Sequence, residues 1–128
     1  MKRLAILDSE RPRAEALGAK LRKQFGEERV ASTEFLQQAD GLIHATPVGT
    51  ASHPGMVVPR EFLRPAMWVA EIVYFPLETD LLGAARECGC RTLDGGGMAV
   101  FQAAKAFQLF TGIAPDEERM LSQFRAPL

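Results

Sequence analysis

Apolar and polar positions follow two different patterns along this chain. Short apolar runs that end in polar or glycine-rich turns are typical of buried β-strands. We interpret five runs in this way, at 4–7, 29–31, 41–45, 67–74 and 90–93. Elsewhere apolar residues recur at helical spacing, as in the inward stripe of Leu81, Leu82 and Ala85 that follows a predicted helix start at Thr79.

Helical periodicity predicts five helices, several of them bounded by proline or glycine. They cover 12–24, a brief stretch from Thr33 to Gln38, the stretch from Thr79 to about Gly89, 98–111 before Gly112, and about 115–124. The residues expected in the core include Trp68, Phe101, Phe107 and Phe110. Because strands and helices alternate, we predict one α/β domain over 1–128, with a mostly parallel sheet flanked by helices.

Composition narrows the functional classes. The 128 residues are 47% hydrophobic and 24% charged, which is ordinary for a globular protein. The net charge of −1 gives no support for a nucleic-acid partner. No apolar run approaches a membrane span or a signal peptide, so we expect a cytoplasmic protein without a membrane partner. Cys88 and Cys90 are too close for an unstrained disulfide and complete no zinc pattern, so no metal site is predicted.

Polar or glycine-rich turns follow most of the predicted strands, and the carboxyl ends of parallel strands meet at one edge of a sheet. At that edge, Asp8 would accept hydrogen bonds from a ribose, and Glu10 would help it to repel a 2′-phosphate. The segment Thr46-Pro47-Val48-Gly49 would place a hydroxyl and backbone amides against a ribose or nicotinamide. Gly95 would allow close backbone approach at a helix start, although neither a GxGxxG nor a P-loop spacing is present. Each segment is also compatible with an ordinary turn.

Other candidates lie on nearby elements. Tyr74 ends a predicted strand, where its phenol would reach a ligand hydroxyl or serve as an interface aromatic. Met98 and Gln102 lie four residues apart on one helix face, although a glutamine near a helix start is usually solvated. His44 lies within a strand and His53 in a loop. Neither has an evident acidic partner in the sequence, so we expect structural or solvated roles for both.

Three motifs carry these candidates in a fixed order. They are Ala45-Thr46-Pro47-Val48-Gly49, Glu71-Ile72-Val73-Tyr74-Phe75-Pro76-Leu77-Glu78-Thr79 and Asp94-Gly95-Gly96-Gly97-Met98-Ala99-Val100-Phe101-Gln102-Ala103-Ala104. Together with 107–112 and 115–116, they resemble the carboxyl-terminal domain of the shikimate and quinate dehydrogenases over nearly the whole chain. The resemblance implies a partial Rossmann-like dinucleotide-binding domain. The family transfers a hydride between a nicotinamide cofactor and the ring alcohol of shikimate or quinate.

The resemblance also implies roles for single residues. The cofactor would be bound by Asp8, Thr46, Pro47, Ile72, Gly95 and Met98. Tyr74 and Gln102 would contact the substrate, and no residue of this chain matches the catalytic Lys–Asp pair of the family. Members that use NADP carry Asn-Arg-Thr where this chain has Asp8-Ser9-Glu10. We therefore expect NAD as the cofactor and regard NADP as the weaker alternative.

Two local departures and one larger departure accompany the resemblance. His44 stands where the family often has asparagine, and Glu71 where it often has aspartate. The first residues resemble the second strand of the nucleotide domain, so we expect this chain to lack the Gly-rich turn and the substrate domain of the family. We expect a segment that is inactive alone, with a sheet completed by re-paired strands, a homodimer partner or a complementing amino-terminal domain. The alternative is a non-catalytic interaction or regulatory module, which would associate through the exposed edge of the sheet or through the Leu109-Phe110 and Met120-Leu121 surface.

Overall fold

The computed structural model describes residues 3–31 and 37–126. Backbone contacts divide the chain into two compact units, Met1–Ala39 and Asp40–Leu128. Most of the brief helix predicted from Thr33 to Gln38 lies outside the described residues.

The first unit is a strand–helix–strand arrangement. β1 (Leu4–Ala5) and β2 (Val30–Ala31) pair in parallel, and α1 (Arg11–Phe25) connects them. Pro12 lies in the first turn of α1, as predicted, and Gly26 ends the helix. Gly18 is the buried position of α1, and a side chain there would contact Val30. β1 is shorter than the predicted run over 4–7, and among the described residues its ladder with β2 holds two residue pairs.

The second unit contains a three-stranded parallel sheet. β3 (Gly41–His44) and β5 (Arg91–Leu93) flank the central β4 (Trp68–Glu71). The register pairs Gly41 with Trp68 and His44 with Glu71. The half-buried indole of Trp68 occupies the space that a side chain at position 41 would need, which explains the glycine. The strand predicted over 67–74 ends at Glu71, because its residue pairs end at Glu71 with β3 and at Ala70 with β5.

Helix α2 (Asp80–Glu87) covers this sheet. Its predicted start is confirmed, since Thr79 caps it by accepting a hydrogen bond from Leu82 N–H. The predicted inward stripe is also confirmed, because Leu81, Leu82 and Ala85 are buried. They pack in one core cluster with β4 and with the residues that precede β4 and β5; the cluster also includes Leu63, Met67, Val69, Ala84 and Cys90.

Two further helices complete the second unit. α3 (Gly96–Thr111) begins two residues before the predicted start and ends at Gly112, whose φ of 72° is left-handed. α4 (Glu117–Arg125) follows the predicted helix closely and is capped by Asp116. The prediction of an α/β fold with a parallel sheet flanked by helices is confirmed. No helix among the described residues is long and apolar enough to cross a membrane.

The expectation that the aromatic residues of α3 lie in the core is wrong. Phe101, Phe107 and Phe110 are 48%, 45% and 88% exposed. The buried positions of α3 are instead the small or slender residues Gly96, Val100 and Ala104, which recur every four residues. Such a stripe is narrow, so the larger apolar residues of this helix extend beyond the surface that the unit covers.

Candidate functional site

The turns after the three strands of the second unit meet at the carboxyl edge of the sheet. Ile72 N–H donates to the His44 carbonyl at 3.1 Å, which continues the β3–β4 ladder. A Cβ atom on Gly95 would lie 2.6 Å from the Ile72 carbonyl oxygen and 2.5 Å from that of Val73. Glycine is therefore required where the turn after β5 crosses the loop after β4. The close approach that the sequence predicted at Gly95 is made to the protein's own backbone.

The turn after β3 contains Thr46 and Pro47. Thr46 is exposed, and its Oγ1 accepts a hydrogen bond from Val48 N–H at 3.3 Å. A Cβ atom on Gly49 would lie 3.3 Å from Thr79 Cγ2, so this turn lies against the start of α2. The structure thus brings Thr46, Ile72 and Gly95 to one edge of the sheet.

His44 and Glu71 form a buried contact beneath these turns. His44 Nδ1 lies 2.7 Å from Glu71 Oε1, and the two side chains are 3% and 0% exposed. His44 Nε2 lies 2.6 Å from Thr46 Oγ1. Glu71 also accepts hydrogen bonds from Val73 N–H and from the Thr79 hydroxyl. One network therefore connects β3, β4, the turn after β3 and the start of α2.

Sequence reasoning missed this pair. His44 was expected to lack an acidic partner, which is wrong, because strand register places Glu71 directly beside it. Glu71 is distant in sequence, and register is set by the hydrogen-bonded ladder rather than by local pattern. One signal was present, since both residues lie in predicted parallel strands and both depart from the family pattern.

The end of α4 lies beside the start of α3. The rings of Tyr74 and Phe124 are 6.4 Å apart between centroids. Asp94 accepts a hydrogen bond from Gly96 N–H at 3.0 Å and lies 3.4 Å from Arg125 Nη2. Tyr74 is about half exposed, so its phenol remains accessible next to this junction.

Met98 and Gln102 lie on the first two turns of α3, and both are exposed. They share a helix face, as the spacing predicted. A groove of about 850 Å³ lies on the other side of this helix, between α3 and α4. Its lining includes Val100, Phe107 and Met120, and none of the residues predicted for cofactor or substrate binding.

Asp8 belongs to the first unit, after β1. It is exposed, and its Oδ1 accepts a hydrogen bond from Glu10 N–H at 2.8 Å, which is a turn geometry. Glu10 lies 3.3 Å from the guanidinium of Arg13, and Arg11 pairs with Glu15. Two carboxylates therefore face solvent at the start of α1, with arginines close by.

A parallel sheet flanked by helices, with polar and glycine-rich turns at its carboxyl edge, is typical of the Rossmann-like class of α/β domain. Comparisons with known proteins support the same class. Residues 95–123 match the family described as the shikimate 5′-dehydrogenase C-terminal domain. A shikimate dehydrogenase (NADP(+)) of Streptomyces avermitilis is 53% identical over 93% of this chain and 43% of its own length. A quinate/shikimate dehydrogenase (NAD(+)) of Corynebacterium efficiens is 43% identical over 97% of this chain and 46% of its own.

A solved structure gives the same result. The quinate dehydrogenase of Corynebacterium glutamicum in complex with NAD has a TM-score of 0.83, with 41% identity over 96% of this chain and 46% of the other. The chain belongs to the shikimate/quinate dehydrogenase family and corresponds to the carboxyl-terminal part of its relatives. It spans less than half of the length of these relatives.

Proposed function

We propose that this chain is the cofactor-binding part of an NAD-preferring quinate/shikimate dehydrogenase. The observation that carries the proposal is the meeting of Thr46, Ile72 and Gly95 at one carboxyl edge, in a chain of this family. Ligands of open α/β sheets bind at this edge. Thr46 and Pro47 would line the cofactor, and Ile72, Gly95 and Met98 would lie near its nicotinamide end.

The substrate would bind beside the same edge. Tyr74 is accessible there, and Gln102 lies one turn beyond Met98 on the exposed face of α3. A phenol and a primary amide suit the hydroxyl and carboxylate groups of shikimate or quinate. The hydride would pass between the nicotinamide and the ring alcohol, while the proton-transferring Lys–Asp pair would come from the other half of the enzyme.

The cofactor preference rests on Asp8 and Glu10. A carboxylate at this strand end would accept hydrogen bonds from ribose hydroxyls and would repel a 2′-phosphate. Ser9 stands where members that use NADP have an arginine. One similar protein is named for NADP(+) and another for NAD(+). The proposed preference for NAD therefore depends on Asp8, Ser9 and Glu10 and not on the names of the relatives.

Titration of the full chain with NAD and with NADP tests this preference. We expect tighter binding of NAD, and we expect Ser9→Arg to narrow the difference by strengthening NADP binding. Equal affinities, or an unchanged ratio in Ser9→Arg, would contradict it. Asp116→Asn is a matched surface control, because it changes an exposed charge at a helix start in the other unit.

Catalysis is expected to require a second component. The full chain is assayed with NAD and quinate or shikimate, alone and with the amino-terminal half of the Corynebacterium glutamicum quinate dehydrogenase. We expect no turnover alone and measurable turnover on complementation. Turnover by the chain alone would show that the Lys–Asp pair of the family is not required here.

A second candidate function is non-catalytic association, as a homodimer or with a partner protein. The observation that favours it is the exposure of Leu109 and Phe110, at 73% and 88%. The neighbouring Met120 and Leu121 are half-buried. Sedimentation of the full chain distinguishes the candidates, because a dimer that binds neither cofactor would favour association. A cofactor-binding monomer would favour the dehydrogenase.

A further inference from the structure

A buried imidazole connects the exposed turn after β3 to the interior of the sheet. His44 is buried, with Glu71 on its Nδ1 side and Thr46 on its Nε2 side, at 2.7 Å and 2.6 Å. Thr46 is exposed. The chain of contacts therefore begins at a carboxylate in the core and ends at a hydroxyl on the surface.

Glu71 determines which nitrogen of His44 carries a proton. Its Oε1 accepts from Val73 N–H at 3.0 Å, and its Oε2 accepts from the Thr79 hydroxyl at 3.2 Å. An ionised carboxylate has acceptor capacity for both donors and for the imidazole. The contact with His44 then places a proton on Nδ1, so Nε2 of the neutral ring is an acceptor.

The hydroxyl of Thr46 is thereby oriented. A threonine hydroxyl has one proton and two lone pairs. Val48 N–H donates to Oγ1 and uses one lone pair, and Nε2 lies 2.6 Å from the same oxygen. Because the unprotonated Nε2 can only accept, the proton of Thr46 is directed to it. One lone pair remains, so the exposed oxygen offers an acceptor to a ligand.

We propose that His44 and Glu71 are positioning residues that make Thr46 a hydrogen-bond acceptor for a bound ligand. An acceptor suits a ribose hydroxyl or a carboxamide N–H and disfavours a phosphate oxygen, which also only accepts. The proposal rests on the proposed function, because it specifies the cofactor group that Thr46 contacts.

Protonation of His44 reverses this arrangement. With a proton on both nitrogens, Nε2–H donates to Thr46, whose own proton then turns outward. Among the described contacts of His44, Glu71 on β4 is the ionisable partner. Helix α2 reaches the network through the uncharged Thr79, and its first acid, Asp80, is exposed. Affinity for a donating ligand group is therefore expected to be lower with a protonated His44 than with a neutral one.

NAD binding by the full chain between pH 5 and pH 8 tests this dependence. We expect the affinity for NAD to be about three- to tenfold weaker at pH 5 than at pH 8, which corresponds to the net free energy of one hydrogen bond. Thr46→Val and His44→Asn should bind more weakly at pH 8 with flat profiles, while Thr46→Ser should keep the wild-type profile. His53→Asn is the matched control, because His53 is the exposed histidine of the loop. A pH dependence that persists in Thr46→Val would overturn the proposal.

Nitrogen NMR of the ¹⁵N-histidine-labelled full chain, without ligand at pH 8, gives an independent test. We expect an unprotonated Nε2 on His44, with a signal that shifts in Thr46→Val, and His53→Asn assigns the remaining ring. A protonated Nε2 with an unprotonated Nδ1 would overturn the proposal even if NAD binds. Failure of the wild-type chain to bind NAD at any pH would instead contradict the proposed function, and the NMR result would still decide the role of His44. Thr46→Val changes an exposed residue, so this test does not depend on the folding of His44→Asn.

Discussion

Helices α2 and α3 both follow a strand of the same sheet, yet they bury different kinds of residue. α2 buries Leu81 and Leu82 almost completely within the core cluster. α3 buries glycine, valine and alanine, and it exposes Phe107 and Phe110. The contrast indicates that the apolar face of α2 is covered within its own unit, whereas the far end of α3 carries apolar surface that the unit leaves uncovered.

The difference also runs along α3 itself. Its first turn is held by the loop after β4, which leaves no space for a side chain at Gly95, and by Phe124 of α4 close to Gly96. Its last turns hold the most exposed apolar residues, Leu109 and Phe110. Contacts within this unit thus hold the start of α3 at the proposed site, whereas the end of α3 is exposed and accessible to a second component.

The largest expected effect is the loss of a core side chain from α2. Leu82→Ala should lower the free energy of unfolding of the second unit by about 2–5 kcal/mol, because it leaves a cavity in the core. Phe110→Ala is the matched change on α3 and should stay within about 0.5 kcal/mol. Urea denaturation of the full chain measures both. A comparable loss in Phe110→Ala would show that the end of α3 is covered after all.

A smaller effect is expected at the start of α3. Gly95→Ala should cost about 1–3 kcal/mol, because overpacking against two backbone carbonyls forces a shift of the turn. Gly97→Ala is the control within the same helix, since its Cβ atom would meet only the ring of Phe101 at 3.8 Å. It should be neutral or stabilising by up to about 1 kcal/mol, because alanine favours helix. Equal losses in both variants would argue against the close approach at Gly95.

The cap of α2 should contribute about 1 kcal/mol. Thr79→Ala removes the acceptor for Leu82 N–H and also one donor to Glu71. Thr79→Ser keeps the hydroxyl and should restore most of the stability lost. Thermal unfolding of the two variants measures the difference, and similar melting temperatures would show that the hydroxyl contributes little.

The smallest effect concerns the cysteines at the end of α2. Burial raises the pKa of the Cys90 thiol, whereas Cys88 is partly exposed. The folded state favours the neutral thiol. Cys90 therefore contributes fully to the stability of the folded state below the ordinary thiol pKa of about 8.5, and this contribution is lost as the pH rises further. Iodoacetamide should modify Cys88 first, as measured in the single alanine variants. Equal rates would indicate that α2 opens readily.

Much of the fold follows from local pattern, because capping residues and apolar periodicity act over a few positions. Thr79, the stripe of Leu81 and Leu82, and the stop at Gly112 were all predictable in this way. The exposure of Phe107 was not, because periodicity shows which residues are apolar and not whether a second component covers them. Thr46, Ile72 and Gly95, which meet at the carboxyl edge of the sheet, were predicted as site residues from their positions in sequence motifs.

The network beneath that edge was not predictable from the sequence. The contact of His44 with Glu71 depends on the register of two strands separated by a long loop. A shift of one residue would direct the two side chains to different faces. Local patterns therefore identify the elements, while the partners of a buried polar residue require the pairing of those elements.

The indole that lies over Gly41 makes the second unit optically distinct. Trp68 is the single tryptophan of the chain, and the first unit contains neither tryptophan nor tyrosine. Intrinsic fluorescence therefore reports the opening of the β3–β4 pair, whereas circular dichroism also includes the fifteen residues of α1. Melting curves that separate between the two signals would show that the units unfold independently, and coincident curves would show that they unfold together.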